Sequence, residues 1–190
     1  MGNPLISLAE YKVYSQINSP NQDAEITLLI PKVSQLIKTY CRQSFNDHVD
    51  DPKVEQFSGG HSELILKEQP VISVSSVELS TDYGQTYTPL TEFVDYAFSP
   101  ESNSVLPIGT GTFKKLVNGY RVSYTCGYET LPEDLKLAAL DLVTYYRKND
   151  GAIHSPKAPG SNAVQIEYIS TASLPAHIRR ILDLYVADYT

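Results

Sequence analysis

The sequence predicts an α+β fold: a bundle of about four helices with an antiparallel β-sheet or hairpin insertion between the second and third main helices. The strongest observation is the segment LPEDLKLAALDLVTYYRKN, residues 131–149, in which apolar residues recur at three- and four-residue steps. From about residue 54 to 126, apolar and polar residues instead alternate between turn residues. Helical periodicity is present both before and after that region. The predicted helices span about residues 8–18, 20–42, 131–149 and 175–187, all within one domain, 1–190.

Two helices are expected before the strands. Ser7 and Glu10 have the spacing of a capping box, and an apolar stripe follows them. Ser19 and Pro20 repeat the signal, since serine caps a helix and proline suits its first turn. Pro31 lies inside the stripe of the second helix, where it removes a backbone donor and crowds the preceding turn. We therefore expect a kink at Pro31 or a helix that begins later.

Turn residues divide the β region into strands. Gly59-Gly60 predicts a hairpin or bulged turn between VEQFS and SELIL, and Asn118-Gly119 predicts a two-residue turn between FKKLV and YRVSYTC. The apolar residues of ISVSSVEL change parity at Ser75-Ser76, which predicts a β-bulge or a strand that passes between two faces. In the last strand, alternate residues over 120–126 are expected to face the core.

The final third of the chain is expected to hold two helices and a loop. Pro132 suits the first turn of the long helix, and Asn149 marks its end. Residues 151–162, GAIHSPKAPGSN, have no periodicity and predict an exposed, mobile loop. Pro175 then begins a last amphipathic helix.

Composition argues against a membrane-spanning protein and against a surface that grips nucleic acid. The formal net charge is −7, from 15 basic and 22 acidic residues, and residues 54–130 hold 9 of the acidic residues but 4 of the basic ones. Phosphate binding needs a cluster of cations, which this region lacks. No run approaches the ~20 apolar residues that cross a bilayer. The start MGNPLISLAEYK has no basic leader and no long apolar core, so no secretory signal is expected.

No residue pattern indicates a catalytic group, a metal site or a cofactor. Cys41 and Cys126 have no CxxC spacing and lie on predicted apolar faces, so two buried, reduced thiols in a cytosolic setting are expected. His48 lies among the aspartates of the Asp47–Asp51 loop, the nearest approach to a metal-ligand cluster. A solvated acidic loop is expected there instead. The 14 tyrosines suit cores and subunit interfaces alike, as in a protein against which others dock.

Five segments of the chain resemble the head–tail connector proteins of tailed phages, also called adaptor or head-completion proteins. In chain order they are ISLAEYKVYSQI, SPNQDAEITLLIPKVSQLIKTYC, PVISVSSVEL, VSYTCGYETLPEDLKLAALDLVTYYRKNDG and LPAHIRRILDLY. The resemblance covers nearly the whole chain and is closest over residues 121–150 and 174–185. The strand region, 54–126, is larger than in the compact helical members of the family.

The resemblance implies binding rather than catalysis. It implies a virion protein, assembled in the host cytoplasm, that forms a ring with itself, usually of twelve copies, on the portal. Its partners would be the portal protein and a stopper or tail-completion protein. DNA would pass through the ring without specific binding, and the acidic surplus would suit a channel lining that repels phosphates. Neither a membrane nor a cofactor is implied.

The same resemblance suggests where the portal would bind. In this family the C-terminal segment commonly docks on the portal, and that role maps onto residues 178–190 here. The helices at 20–42 and 131–149 would then form the core of each subunit. The candidate portal-binding residues are Arg179, Arg180, Tyr185 and Tyr189.

Two other function classes remain open at this stage. One is a phage tail or baseplate accessory module whose β insertion binds a protein or glycan partner; an exposed aromatic groove on the sheet would favour it. The other is a hydrolytic enzyme whose residues converge only in the folded chain. A cleft that holds His48 or His154 beside a cysteine or a carboxylate would favour that class.

Overall fold

In a computed structural model of the chain, residues 2–109, 111–154 and 174–187 are described, with the backbone alone described over 149–154. Four α-helices and seven strands occur in these ranges. In sequence order the strands come after the second helix and before the third, which confirms the predicted α+β class. The helices are α1 (Leu8–Tyr14), α2 (Asp23–Cys41), α3 (Glu133–His154) and α4 (Ala176–Leu182). The strands are β1 (Lys53–Phe57), β2 (Leu64–Ile65), β3 (Val71–Leu79), β4 (Thr88–Pro89), β5 (Tyr96–Ser99), β6 (Ser104–Pro107) and β7 (Tyr120–Cys126).

The chain divides into two compact units. A sheet unit comprises Met1–Asn3, Gln43–Leu131 and Ala187–Thr190, and a helical unit comprises Pro4–Arg42 and Pro132–Val186. The helical unit is therefore built from two separate stretches of sequence. That the two units form a single domain, as the sequence suggests, stays a prediction.

The capping box of the helical unit is confirmed. The Glu10 N–H donates to the Ser7 hydroxyl at 3.2 Å, and the Ser7 N–H donates to the Glu10 carboxylate at 2.7 Å. The Ser7 N–H and the Ser7 hydroxyl both donate to the Glu10 carboxylate, and these two bonds lower the pKa of Glu10. Helix α1 ends at Tyr14 rather than at residue 18, and Gln16 beyond it has a left-handed φ of 54° that no helix continues through.

Helix α2 begins later than predicted and runs without interruption through Pro31. Ser19 caps a 3₁₀ turn at Pro20–Gln22, and the α-helix starts at Asp23. One turn beyond the proline, the Ser34 hydroxyl donates to the Ile30 carbonyl at 2.8 Å and accepts the Leu5 N–H at 3.0 Å. These bonds satisfy polar groups that are buried in the helical unit.

The apolar stripe of α3 forms the centre of the helical core, as predicted. Five residues on this stripe are completely buried: Leu135, Ala138, Ala139, Leu142 and Val143. Helix α3 continues to His154, so the first four residues of the predicted 151–162 loop are helical. The rest of that predicted loop lies outside the described residues.

Strand β7 is the centre of the larger sheet, whose order is β1-β7-β3-β4 with antiparallel neighbours. The predicted alternation is confirmed, since Tyr120, Val122, Tyr124 and Cys126 are all buried. The pairing of β3 with β7 shifts register between Val71 and Ser73 and again between Val74 and Ser76. The predicted bulge in this strand is therefore confirmed. A smaller antiparallel sheet has the order β2-β6-β5.

The chain turns at Asn118, as predicted, but neither turn connects two paired strands, because the neighbouring strands pair with distant partners. Strand β1 pairs with β7 and β2 with β6, so Gly59-Gly60 joins strands that do not pair with each other. The Gly59 N–H donates instead to the Leu116 carbonyl at 2.8 Å. The FKKLV segment before Asn118-Gly119 forms no strand, and the Gly119 carbonyl accepts the Ser80 N–H at 2.8 Å. Both turns serve contacts between distant parts of the sequence.

Candidate docking surfaces

The C-terminal segment of the helical unit, α4 and the 3₁₀ turn Asp183–Tyr185, is fixed by apolar contacts on one side. Ile178 and Leu182 are four residues apart, so they lie on one face of α4, and both are almost completely buried. The Cys41 thiol, at the end of α2, donates to the carbonyl of Leu182, the last residue of α4, with an S···O distance of 3.6 Å. The segment is therefore a packed element of the helical unit.

Two tyrosine hydroxyls fix the same segment by polar contacts. Tyr40 at the end of α2 donates to the Asp183 carboxylate at 2.5 Å, and this bond raises the pKa of Tyr40. Tyr185 donates to the Asp134 carboxylate at the start of α3, at 2.6 Å. Hydrogen bonds to a charged acceptor are the stronger kind, so the segment is held to both α2 and α3.

The predicted portal-binding residues do not share one environment. Arg179 and Arg180 are exposed, and Arg179 lies 3.8 Å from the carboxylate of Asp183, one turn later. Tyr185 is half-buried and its hydroxyl is bonded within the unit, so it anchors the segment more than it extends from it. Tyr189 lies outside the described residues. The structure thus brings two cations to the outer face of the segment.

Leu184 is a candidate contact that the sequence analysis missed. It is 76% exposed and lies in the 3₁₀ turn that directly follows α4. The sequence spacing already indicated this exposure, because Leu184 does not lie on the apolar stripe that Ile178 and Leu182 define and so is not buried with them. A large apolar side chain on an exposed, cationic segment favours a protein partner over solvent alone.

A second surface of the helical unit is an apolar groove between α1 and α3, with a volume of about 670 Å³. Its charged lining residues are Glu10, Glu133 and Lys136, and the Lys136 ammonium is 3.1 Å from the Glu133 carboxylate. The groove is open, and Val13 on its wall is 81% exposed. Its apolar lining consists of Ile6, Ala9, Val13, Tyr14, Leu137 and Leu140.

The sheet unit has a cleft of different character. It has a volume of about 460 Å³ between the end of β1 and strand β2, and Phe57 is the aromatic residue in its lining. The remaining lining residues are mainly polar or charged and include His61, Glu63 and Lys67. This cleft does not provide the aromatic groove that a sheet-borne peptide or glycan site would need.

A buried ionic cluster lies beside β1. The Lys53 ammonium is 2.9 Å from the Glu55 carboxylate and 3.1 Å from the Glu68 carboxylate. Burial alone lowers the pKa of Lys53, but hydrogen bonds and charge from Glu55 and Glu68 outweigh burial and raise it. Glu68 also accepts the N–H and hydroxyl of Ser44. The cluster is satisfied internally and therefore has a structural role.

The described residues do not assemble the enzyme site left open by the sequence. Both thiols are buried, and burial raises the pKa of Cys41 and of Cys126 to about 12, so the nucleophilic thiolate is scarce at neutral pH. The His48 ring contacts the Asp51 carbonyl at 3.1 Å, and Asp47 accepts the Asn3 N–H. Among the described residues, no three potential metal ligands converge. The side chain of His154 lies outside them.

A family model for head completion proteins matches residues 4–187, almost the whole chain. The chain therefore belongs to the head completion protein family. A head completion protein of Escherichia phage T5 is 25% identical over 184 residues, which is 95% of this chain and 97% of that protein. Membership confirms the predicted phage head–tail connector class and the predicted virion localisation.

Two solved structures have a fold similar to that of this chain. A chain from the neck of an empty gene transfer agent particle, computed with C6 symmetry, has a TM-score of 0.65 at 14% identity, covering 98% of this chain and 91% of that one. A chain from the neck of the native particle, computed with C12 symmetry, has a TM-score of 0.57 at 16% identity, covering 95% and 94%. Within the described ranges, no helix has the length and apolar content to cross a bilayer.

Proposed function

We propose that this chain is an adaptor that assembles as a ring on the portal, extends the DNA channel, and presents a platform for the stopper or tail-completion protein. In this role it binds other proteins and performs no catalysis. The ring is a closed set of identical subunits joined by heterologous contacts, and twelve copies are expected.

The observation that carries the proposal is the construction of the C-terminal segment. Tyr40 and Tyr185 hold it in place, so Arg179 and Arg180 are displayed from a rigid backbone. Because the segment is ordered before binding, little conformational entropy is lost on docking. Leu184, in the turn that follows α4, adds exposed apolar area to the same segment. Arginine and an apolar anchor are the combination expected at a protein interface.

The relatives support a position in the neck of the particle. The chains of similar fold come from gene transfer agent necks that were computed with C6 and C12 symmetry, and cyclic symmetry is what a ring around a channel requires. The acidic surplus of residues 54–130 fits a channel that DNA passes through without being bound. This channel role requires that acidic side chains of residues 54–130 face the interior of the ring.

The test is to mix the purified chain with the portal ring of the same virus and to measure mass by light scattering after size-exclusion chromatography. A stoichiometric complex is expected. Reversing both charges in Arg179→Glu/Arg180→Glu should weaken binding at least tenfold, whereas Tyr185→Phe should act mainly through the order of the segment. The matched control is Lys114→Glu/Lys115→Glu, an equal charge change on two exposed lysines of the sheet unit.

The outcomes separate the competing roles. Loss of binding in the arginine variant alone supports portal docking through α4. Equal losses in both double variants would indicate a general effect of charge and would overturn the assignment of this segment. A chain that ignores the portal but binds a tail component would favour the tail accessory module.

A further inference from the structure

The loop between β4 and β5 carries two adjacent apolar side chains that face solvent. Phe93 is 76% exposed and Val94 is 64% exposed. Phe93 also has a left-handed φ of 62°, a conformation that is uncommon for a bulky residue and that recurs at functional sites. Its N–H donates to the Tyr96 carbonyl at 2.7 Å, which fixes the loop against β5. Exposed apolar area on a fixed loop favours a protein partner.

The same loop is acidic. Glu92 and Asp95 flank the two apolar residues in sequence, and both are exposed. The carboxylate of Asp95 accepts the Thr91 N–H at 2.8 Å. Among the described residues, no cation lies within ion-pair distance of either carboxylate. The acidic tip, defined as residues 92–95, therefore combines apolar area with two negative charges that lack a counter-ion in that part of the chain.

The sheet unit also carries a surface of opposite charge. Lys114 and Lys115 are exposed, and Val117, two residues later, is 59% exposed. Neither lysine has a carboxylate within ion-pair distance in the described ranges. The carbonyl of Leu116 accepts the Gly59 N–H at 2.8 Å, so this segment is fixed to the loop after β1. We name the segment from Lys114 to Val117 the basic patch.

The neighbouring loop between β3 and β4 does not cancel the charge of the basic patch. It contacts the residue after the patch through Tyr87, whose hydroxyl donates to the Asn118 carbonyl at 3.3 Å. The one acid of this loop, Asp82, accepts hydrogen bonds from the hydroxyls of Ser80 and Thr86. Its carboxylate is thus bonded within its own loop, and two lysines against one acid leave the surface net positive.

The acidic tip and the basic patch adjoin opposite edges of the smaller sheet, whose order is β2-β6-β5. The tip leads into β5 through the bond from Phe93 to Tyr96. The patch follows Phe113, whose N–H donates to the carbonyl of His61 at 2.8 Å, in the segment that leads into β2. The two edge strands of a three-stranded sheet are about 10 Å apart. One copy therefore presents the two surfaces at different places, as a head-to-tail contact requires.

We propose that the acidic tip of one copy packs against the basic patch of the next copy. Phe93 and Val94 would lie against Val117, and the two carboxylates of the tip would pair with the two lysines of the patch. The partner is a second copy of this chain, because each surface supplies the charge that the other lacks. The contact is heterologous, so repetition closes a ring if the rotation per subunit allows it and gives a filament if it does not. This inference rests on the proposed ring, and it identifies a lateral contact within that ring.

The test is directional cross-linking of full-length chains at two exposed valines. A chain that carries both Val94→Cys and Val117→Cys is treated with a short bis-maleimide, with and without the portal ring, and its products are separated by mass. A ladder of covalent dimers, trimers and higher species is expected, whereas a mixture of the two single variants should give dimers only. Native Cys41 and Cys126 are buried, and burial raises the pKa of each to about 12, so both should react slowly.

The control for position keeps Val94→Cys and moves the second cysteine to Val54. Val54 lies on β1 of the same sheet unit and is 56% exposed, almost the same as Val117. The chain with Val94→Cys and Val54→Cys should give a several-fold smaller yield of higher species. Equal ladders from the two chains would indicate random collision and would overturn the proposed contact.

Charge variants of the Val94→Cys/Val117→Cys chain test the pairing of the two surfaces. Glu92→Lys and Lys114→Glu/Lys115→Glu should each lower the yield of higher species at least threefold, and their combination should recover at least half of the loss. Glu101→Lys makes the same change at another exposed acid of the sheet unit and should alter the yield less than twofold. Loss without recovery, or an equal loss in Glu101→Lys, would overturn the proposed pairing.

The lateral contact and portal docking can fail separately. Each copy would dock on the portal through its own α4, so Lys114→Glu/Lys115→Glu should still bind the portal although its ladder is reduced. Portal binding by the Val94→Cys/Val117→Cys chain without a ladder would overturn the lateral contact and leave the proposed function standing. A ladder without portal binding would overturn the proposed portal docking and leave the lateral contact standing.

Discussion

The helical unit and the sheet unit differ in how far apart in sequence their decisive contacts lie. The capping box of α1 joins residues three positions apart, and the stripe of α3 repeats within one helix. In the sheet unit, β7 pairs with β1, about 65 residues earlier, and with β3. Helical patterns are local, whereas strand pairing is decided by which distant segments meet. Neighbouring residues therefore predict the cap of α1 and the stripe of α3, whereas the pairing of β7 with β1 has no local signal.

The largest expected effect tests whether the two units unfold together. Leu142→Ala in the helical unit and Leu66→Ala in the sheet unit each truncate a fully buried leucine, and each should cost about 3 kcal/mol. If the chain is one domain, both variants shift the same single transition in urea, followed by circular dichroism and tyrosine fluorescence. Two transitions, each moved by one variant, would contradict the single-domain prediction.

A similar effect, about 3 kcal/mol, is expected from Lys53→Met in the sheet unit, because the change leaves two largely buried carboxylates without a cation. The raised pKa of Lys53 sets the pH dependence. Its contribution is complete below the pKa of an unfolded lysine, ~10.4, and is lost as the pH rises through the higher folded value. Urea unfolding between neutral and alkaline pH measures this loss.

The control for that cluster is Lys67→Met. Lys67 is exposed, and its backbone rather than its ammonium contacts Glu55. We expect its unfolding free energy to stay within about 0.5 kcal/mol of the parent. The alkaline loss of stability should persist in this variant and be absent from Lys53→Met. If the free energy of unfolding falls equally at alkaline pH in both variants, a group other than Lys53 is responsible.

A smaller effect, about 2 kcal/mol, is expected where the sheet unit relies on a distant contact. A Cβ on Gly59 would lie 2.0 Å from the Lys114 carbonyl oxygen, so Gly59→Ala must displace backbone. At Gly109 a Cβ meets nothing within 4 Å, and the substitution costs only the left-handed φ of 83°, about 1 kcal/mol. The urea midpoints of the two variants compare the steric clash at residue 59 with the backbone strain at residue 109. Equal losses of stability would contradict a role for the close approach of Gly59 to Lys114.

The smallest effect is expected at the most local feature. Ser7→Ala removes the cap of α1 and should cost about 1 kcal/mol. Ser19→Ala removes a single, longer bond of 3.3 Å at a 3₁₀ turn and should cost about half as much. Thermal unfolding of the two variants ranks the caps, and the reverse order would show that the box geometry at Ser7 contributes little.

The candidate surfaces show the same division as the fold. Placement of a helix at the C-terminus and exposure of Arg179 and Arg180 follow from helical periodicity, which is visible in the sequence. The bond from Tyr185 to Asp134 joins residues 51 positions apart, and no local pattern predicts it. The exposure of Phe93 was not predicted either: the sequence favours a strand over residues 93–98, whereas the structure begins that strand at Tyr96 and places Phe93 in the turn before it.

The sequence by itself determined the α+β class, the caps, the buried stripe of α3 and the inward face of β7. Each of these depends on residues within about one or two turns of helix or along one strand. Only the tertiary structure decided the strand order, the role of the glycine turns, and the surfaces left uncovered. Those depend on which segments far apart in sequence bury each other's apolar residues, and many pairings are compatible with the same alternating pattern.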